Sequence, residues 1–144
     1  MQGLGISRKV LVVDDEVHIL HVVSLKLRNA GYDVVTAQDG SEALDIAQVE
    51  LPDLIITDYQ MPHLSGLELC CKLRNIPSTR DIPAIMLTAR GFSLDAKSTA
   101  AAGIIECINK PFGPREILRV VNDVFQTEMV CVANGHHSYR SHVR

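Results

Sequence analysis

Apolar positions along the chain fall into short unbroken runs, separated by longer stretches in which they recur at helical spacing. Lys9-Val10-Leu11-Val12-Val13 is the first run, opened by a cation and closed by Asp14-Asp15-Glu16. A run without alternation suits a strand buried on both faces, as in a parallel sheet. A helix is predicted over Glu16–Ala30, with Leu20, Val23 and Leu27 on one stripe and Asn29-Ala30-Gly31 as its stop. Tyr32–Ala37 reads as a short strand. Asp39-Gly40-Ser41 is a turn and cap before a short helix, Glu42–Val49. Pro52-Asp53 breaks that helix, and the run Leu54-Ile55-Ile56-Thr57-Asp58 follows, leaving the sheet at Tyr59-Gln60-Met61-Pro62. Ser65 with Glu68 three positions on is a capping-box pattern for a helix over Leu67–Arg74. Pro83–Leu87 is a fourth run, ending in Thr88-Ala89. Ser93–Ala102 predicts a weakly amphipathic, loosely held helix stopped by Gly103. Ile104–Ile108, interrupted by Glu106, is a fifth run and ends at Asn109-Lys110-Pro111. Pro114–Gln126 is the last helix, with Ile117, Val120, Val121 and Val124 on one face.

Strict alternation of five strands and five helices predicts an α/β fold, a central parallel sheet with helices on both faces. In open sheets of this kind ligands gather at the carboxyl ends of the strands. One domain over residues 1–126 and a flexible tail over 127–144 are expected. The 144 residues and 47% hydrophobic content suffice for a proper core, which must be aliphatic because aromatics make up 4% and Trp is absent. A net charge of -3 argues against a nucleic-acid binder that relies on overall basicity. Cys70, Cys71, Cys107 and Cys131 form no CxxC pair, so free thiols in a reducing compartment are expected. Residues 1–9 lack the apolar segment of a signal peptide, and no run reaches the ~20 residues of a membrane span. A cytoplasmic protein without membrane contact is the expectation.

The strand ends carry the chemistry. The first run ends in Asp14 and Asp15, the third in Asp58, the fourth in Thr88 and the fifth in Lys110; the second, ending Thr36-Ala37, offers little. Each alone has a plain reading: Asp58 as a turn residue, Asp14 or Asp15 as a helix cap, Thr88 as strand-end filler, Lys110 as a solvated cation. Together they place three carboxylates, a hydroxyl and an ammonium on one rim. Mutually repelling carboxylates are relieved by a hard divalent cation, and Mg²⁺ takes one or two carboxylates, waters and a phosphoryl oxygen. Lys110 and Thr88 would then hold other phosphoryl oxygens, leaving Asp58 free as a nucleophile that forms an acyl phosphate.

These motifs, Val12-Val13-Asp14-Asp15-Glu16, Thr57-Asp58-Tyr59-Gln60-Met61-Pro62 with Ser65-Gly66, Leu87-Thr88-Ala89 and Lys110-Pro111-Phe112, make the chain from Lys9 to about Gln126 resemble a response-regulator receiver domain of two-component signalling. The resemblance implies a doubly wound, flavodoxin-like sheet of five parallel strands in the order 2-1-3-4-5. It implies that Asp58 is the phosphoacceptor and Asp15 a direct Mg²⁺ ligand, with Asp14 acting through water and the Gln60 backbone carbonyl as a further ligand. Lys110 resembles the phosphate-pairing lysine, with a cis bond to Pro111. Thr88 resembles the switch hydroxyl, with the Ala89 amide also facing the phosphoryl group. The family's switch aromatic, three residues before the lysine, is replaced here by Cys107, which has no ring to act as a gate. Phe92 is a candidate substitute.

The resemblance further implies a sensor histidine kinase or phosphotransfer protein as donor, or a small acyl phosphate. It implies a downstream protein or output domain as reader, and a homodimer through the fourth helix, fifth strand and fifth helix. No direct nucleic-acid contact from this chain is expected. The tail does not separate a stand-alone regulator from a piece of a longer chain. Two other functions stand beside this one: a phosphohydrolase working through an aspartyl phosphate, and a receiver that binds partners without phosphorylation. Gln60 and Arg90 flank the expected site entrance. His18, His21 and His63 are expected at the surface, Cys70 and Cys71 in helix packing, and His136-His137 in the tail.

Overall fold

Each short apolar run becomes a strand: β1 (Lys9–Val13), β2 (Asp33–Ala37), β3 (Leu54–Asp58), β4 (Ala84–Thr88) and β5 (Ile104–Asn109). They pair in parallel in the order β2-β1-β3-β4-β5. The computed structural model describes residues 7–89 and 95–133. Arg90, Phe92, His136 and His137 lie outside the described residues, as does the expected helix start at Ser93.

Helices cross between the strands: α1 (Val17–Asn29), α2 (Gly40–Glu50), α3 (Gly66–Arg74), α4 (Ala96–Ala101) and α5 (Pro114–Ala133). Alternate strand residues point to opposite faces, which divides the core in two. Val10, Val12, Ile56, Ile85, Leu87 and Ile108 pack against α1 and α5. Leu11, Val13, Ile55 and Met86 pack against α2 and α3 on the other side. Every residue of β3 and β4 is buried, as unbroken apolar runs demand. The edge strand β5 is partly open, which accommodates Glu106, and its register with β4 shifts between Ala84 and Ile85.

Caps fix the helices that aim loops at the strand ends. The Asp39 carboxylate accepts from the Glu42 amide at the head of α2, so α2 starts earlier than the expected Glu42. At α3 the Ser65 hydroxyl accepts from the Glu68 amide and Glu68 accepts from the Ser65 amide, the reciprocal pair expected from the sequence. Asp95 caps α4, which buries none of its own residues. The expectation of a loosely held helix rests on the same Ala, Ser and Thr composition.

Two expectations need correction. The last helix does not stop at Gln126 but continues to Ala133, so residues 127–133 of the expected flexible tail are helical. No Gly or Pro interrupts the chain until Asn134-Gly135, and a change of composition alone does not break a helix. Cys71 does not pack: it is exposed, while its neighbour Cys70 is buried, because a helix turns by about 100° per residue and carries Cys71 past the edge of the buried face that Leu69 and Cys70 share. Burial pushes the Cys70 thiol up to about 12, which makes it inert.

Candidate functional site

The parallel register brings the ends of β1, β3, β4 and β5 to one rim of the sheet. Asp14, Asp15 and Asp58 each offer an oxygen there, and these oxygens lie within 4.8 Å of one another. Asp14 is fully buried and Asp58 is 7% exposed, whereas Asp15 is exposed. The Asp14 amide donates to Ala37 O at 3.2 Å, which ties the turn after β1 to the end of β2. One Asp14 oxygen accepts from the Glu16 amide at 2.9 Å and orders the entry into α1. The plain reading of Asp14 as a helix cap does not hold: Glu16 is the N-cap residue of α1, and Asp14 accepts from the amide of that residue and not from one inside the helix.

Lys110 reaches across from the end of β5. Its Nζ lies 3.0 Å from Asp58 Oδ1, 3.4 Å from Asp14 Oδ2 and 3.4 Å from Glu16 Oε1. The Lys110 amide donates to Thr88 O at 2.7 Å, and the Lys110–Pro111 bond is cis as expected. The Thr88 side chain, 2% exposed, donates from Oγ1 to Asn109 Oδ1 at 2.9 Å. Gln60 sits exposed on the loop after β3, and Ala89 is exposed directly after β4. Cys107 is exposed on β5. His18, His21 and His63 are at the surface as expected, with His63 at φ 71 in the left-handed region.

Four carboxylates around one ammonium make this rim electrostatically unbalanced. Burial pushes the Asp14 carboxyl up to about 6, and the nearby Asp58 charge adds to the rise against the pull of Lys110. Burial likewise raises Asp58, opposed by its hydrogen bond with Lys110 and increased by the charges of Asp15 and Glu16. Burial alone would lower the Lys110 ammonium. The hydrogen bond to Asp58 and the charges of Asp14 and Asp58 outweigh it, so Lys110 lies above the ordinary lysine value. An all-oxygen donor set whose carboxylates resist ionisation together fits a hard divalent cation.

The structure thus brings Asp14, Asp15, Asp58 and Lys110 together; Thr88 stands at the neighbouring strand end, tied to Lys110 through its carbonyl and with its hydroxyl turned to Asn109. The structure adds two residues that the strand-end reading did not assign to the site. Glu16, expected only to open the first helix, is a third partner of Lys110. Asn109 holds the Thr88 hydroxyl, a role visible only once Thr88 and Asn109 are known to be register partners.

A family model described as "Response regulator receiver domain" matches residues 10–122. The chain belongs to this family. The "Probable transcriptional regulator ycf27" of Cyanophora paradoxa is 44% identical over 111 residues, covering 77% of this chain and 45% of that protein. The "Alkaline phosphatase synthesis transcriptional regulatory protein PhoP" of Bacillus subtilis is 42% identical over the same length, with the same coverage of each. The chain therefore spans less than half the length of the curated relatives it matches. Among solved structures, the chemotaxis response regulator CheY4 of Vibrio cholerae superposes with a TM-score of 0.76 at 36% identity, covering 82% of this chain and 98% of that one. The Francisella response regulator 1452 receiver domain gives 0.75 at 30% identity, covering 84% and 98%. These receiver domains share the five-stranded parallel architecture, and the phosphoacceptor function of the family is that of this domain. Among the described residues no helix is long and apolar enough to cross a membrane.

Proposed function

We propose that Asp58 is the phosphoacceptor and that the rim around it catalyses only its own phosphorylation and dephosphorylation. The observation that carries this reading is the position of Lys110 Nζ, 3.0 Å from Asp58 Oδ1, beside three carboxylates within 4.8 Å of one another. The Asp58 carboxylate attacks phosphorus in line; the donor's P–N or P–O bond breaks and the leaving group keeps the electron pair. Lys110 offers its charge to a phosphoryl oxygen, Thr88 its hydroxyl to a second, and the Ala89 amide lies next to them.

Asp14, Asp15, Asp58 and the Gln60 carbonyl would hold Mg²⁺, and the chemistry that ion would supply is neutralisation of charge on the acids and on the phosphoryl oxygens. Asp15, two residues past the end of β1, would be the direct ligand there. Both Asp14 oxygens are already engaged, by the Glu16 amide and by Lys110, which favours a water between Asp14 and the ion. The donor is a sensor histidine kinase, a phosphotransfer protein or a small acyl phosphate, in the cytoplasm. The phosphoryl group carries about -2 at neutral pH in place of the single negative charge of the ionised carboxylate, a net change of about -1, and is read by a downstream protein or an output domain, with a homodimer through α4, β5 and α5 as the expected assembly.

Intact mass after incubation with Mg²⁺ and a small acyl phosphate tests this directly. One phosphoryl adduct is expected, and none in Asp58→Asn. An unmodified wild-type chain refutes the reading. Turnover of a general phosphomonoester would favour the phosphohydrolase instead.

A further inference from the structure

Cys107 leaves the family's ring position without a ring, yet the Thr88 hydroxyl is not idle. It is buried at the end of β4 and donates to Asn109 Oδ1 at 2.9 Å. Thr88 and Asn109 are register partners, and the Lys110 amide donates to Thr88 O at 2.7 Å, so β5 grips Thr88 from both sides. Asn109 itself is exposed, and alternation along β5 puts it on the same face as the exposed Cys107.

We propose that Asn109 is a positioning residue: it holds Thr88 in the resting state, and its release carries phosphorylation of Asp58 to the surface of β5. The proposal rests on the reading that Thr88 binds a phosphoryl oxygen. A hydroxyl has one proton and donates to one acceptor at a time. Thr88 therefore serves either the Asn109 carbonyl or the phosphoryl group, and the two states exclude each other. A bond to an ionised oxygen is roughly twice as strong as one to a neutral amide, so the phosphoryl group wins when present. The freed Asn109 amide then stands at the surface beside Cys107. A hydrogen bond accepted by a side-chain amide thus links site and surface in this chain where a ring does so in the family.

The test uses the full 144-residue chain with Mg²⁺ and beryllium fluoride as the phosphoryl stand-in on Asp58. Asn109→Leu removes the acceptor at similar size and leaves the buried hydroxyl without its resting partner. Its apparent affinity for the stand-in should rise about 2- to 10-fold, the span of a single neutral hydrogen bond. In a Thr88→Val background the same substitution should change nothing, because no hydroxyl remains to be released. Alkylation of Cys107, mapped by peptide mass, should change rate when beryllium fluoride binds the wild type. In Asn109→Leu it should already lie near the bound-state rate. Asn109→Ala repeats the measurement should the leucine variant fold poorly.

Equal effects of Asn109→Leu with and without the Thr88 hydroxyl, or no effect in either, would overturn the proposal. Failure of the wild type to bind beryllium fluoride would overturn the site reading beneath it. Wild-type binding with an unresponsive Asn109→Leu sinks the Asn109 inference alone.

Discussion

Gly66→Ala would place a methyl group against the backbone that carries the phosphoacceptor. Gly66 opens α3 directly beneath the end of β3, and its amide donates to Tyr59 O at 2.8 Å. An added Cβ would lie 2.3 Å from Asp58 O, 3.1 Å from Asp58 C and 2.9 Å from Met86 Sδ. The Met86 thioether can swing aside. The Asp58 carbonyl cannot, because it belongs to a fully buried strand whose next amide, Tyr59 N, donates to Leu87 O at 2.9 Å. Relief to ordinary contact distance requires a shift of about 1 Å, shared between β3 and α3, and overpacking of that kind costs about 1–3 kcal/mol. For a domain of this size the melting temperature should fall by about 4–12 °C. Turning the Asp58 peptide also displaces its carboxylate, and misplacement of a reacting group on that scale costs on the order of 100-fold in rate. The assay is thermal unfolding in parallel with the rate of adduct formation from a small acyl phosphate. Gly113→Ala is the control: a Cβ there meets nothing within 4 Å. Only the modest preference for Gly over Ala at a helix start is lost, less than about 1 kcal/mol. A Gly66→Ala protein with wild-type melting and wild-type phosphorylation would refute the claim that this close approach sets the position of Asp58.

The remaining predictions concern charge and packing. Lys110→Met removes the only cation in contact with Asp14, Glu16 and Asp58 among the described residues. Phosphorylation should slow by roughly 100-fold or more, the scale for loss of one preorganised electrostatic contact, and a rate within a factor of two of wild type counts against the assigned role. The metal-free protein should gain stability as pH falls from 8 to 5. Asp14 is raised from 3.8 to about 6, so its contribution is fully present below 3.8 and lost as pH rises through about 6. The size is on the order of 1–3 kcal/mol. Denaturant midpoints across that range measure it, and a smaller gain in an Asp14→Asn variant identifies its share, with Asp58, also raised by burial, supplying the rest. Saturating Mg²⁺ should raise the melting temperature more at pH 8 than at pH 5, because protons and metal compete for the same carboxylates; equal shifts at both pH values would contradict this. Tyr32→Phe removes the bond from the Tyr32 hydroxyl to Asn122 that ties the turn between α1 and β2 to α5. It should lower stability by about 0.5–1.5 kcal/mol and leave phosphorylation untouched; a change in adduct formation would place Tyr32 in the switching path.

How far the sequence reaches follows from what each residue needs from its neighbours. Val10 to Val13 and Leu54 to Asp58 are buried on both faces, so their runs declare strands without help from tertiary context. The rim was legible for the same reason: in a parallel sheet every strand points its carboxyl end the same way, so Asp14, Asp15, Asp58, Thr88 and Lys110 had to converge. Pairings that depend on register or on side-chain reach were not legible. Glu16 meets Lys110 across 94 positions of sequence, and nothing in either neighbourhood announces it. Asn109 looked like the end of a strand until its register against Thr88 was known. That register is set by the shift between Ala84 and Ile85, which moves every later pair of β4 and β5 by one residue. Without the shift Ile85 would face Ile105 and Thr88 would face Ile108, whose side chain is buried in the core. The Thr88 hydroxyl would then have no partner on β5 and no route to the surface. One irregularity in an edge strand therefore decides whether the proposed link from Thr88 through Asn109 to the face of Cys107 can form.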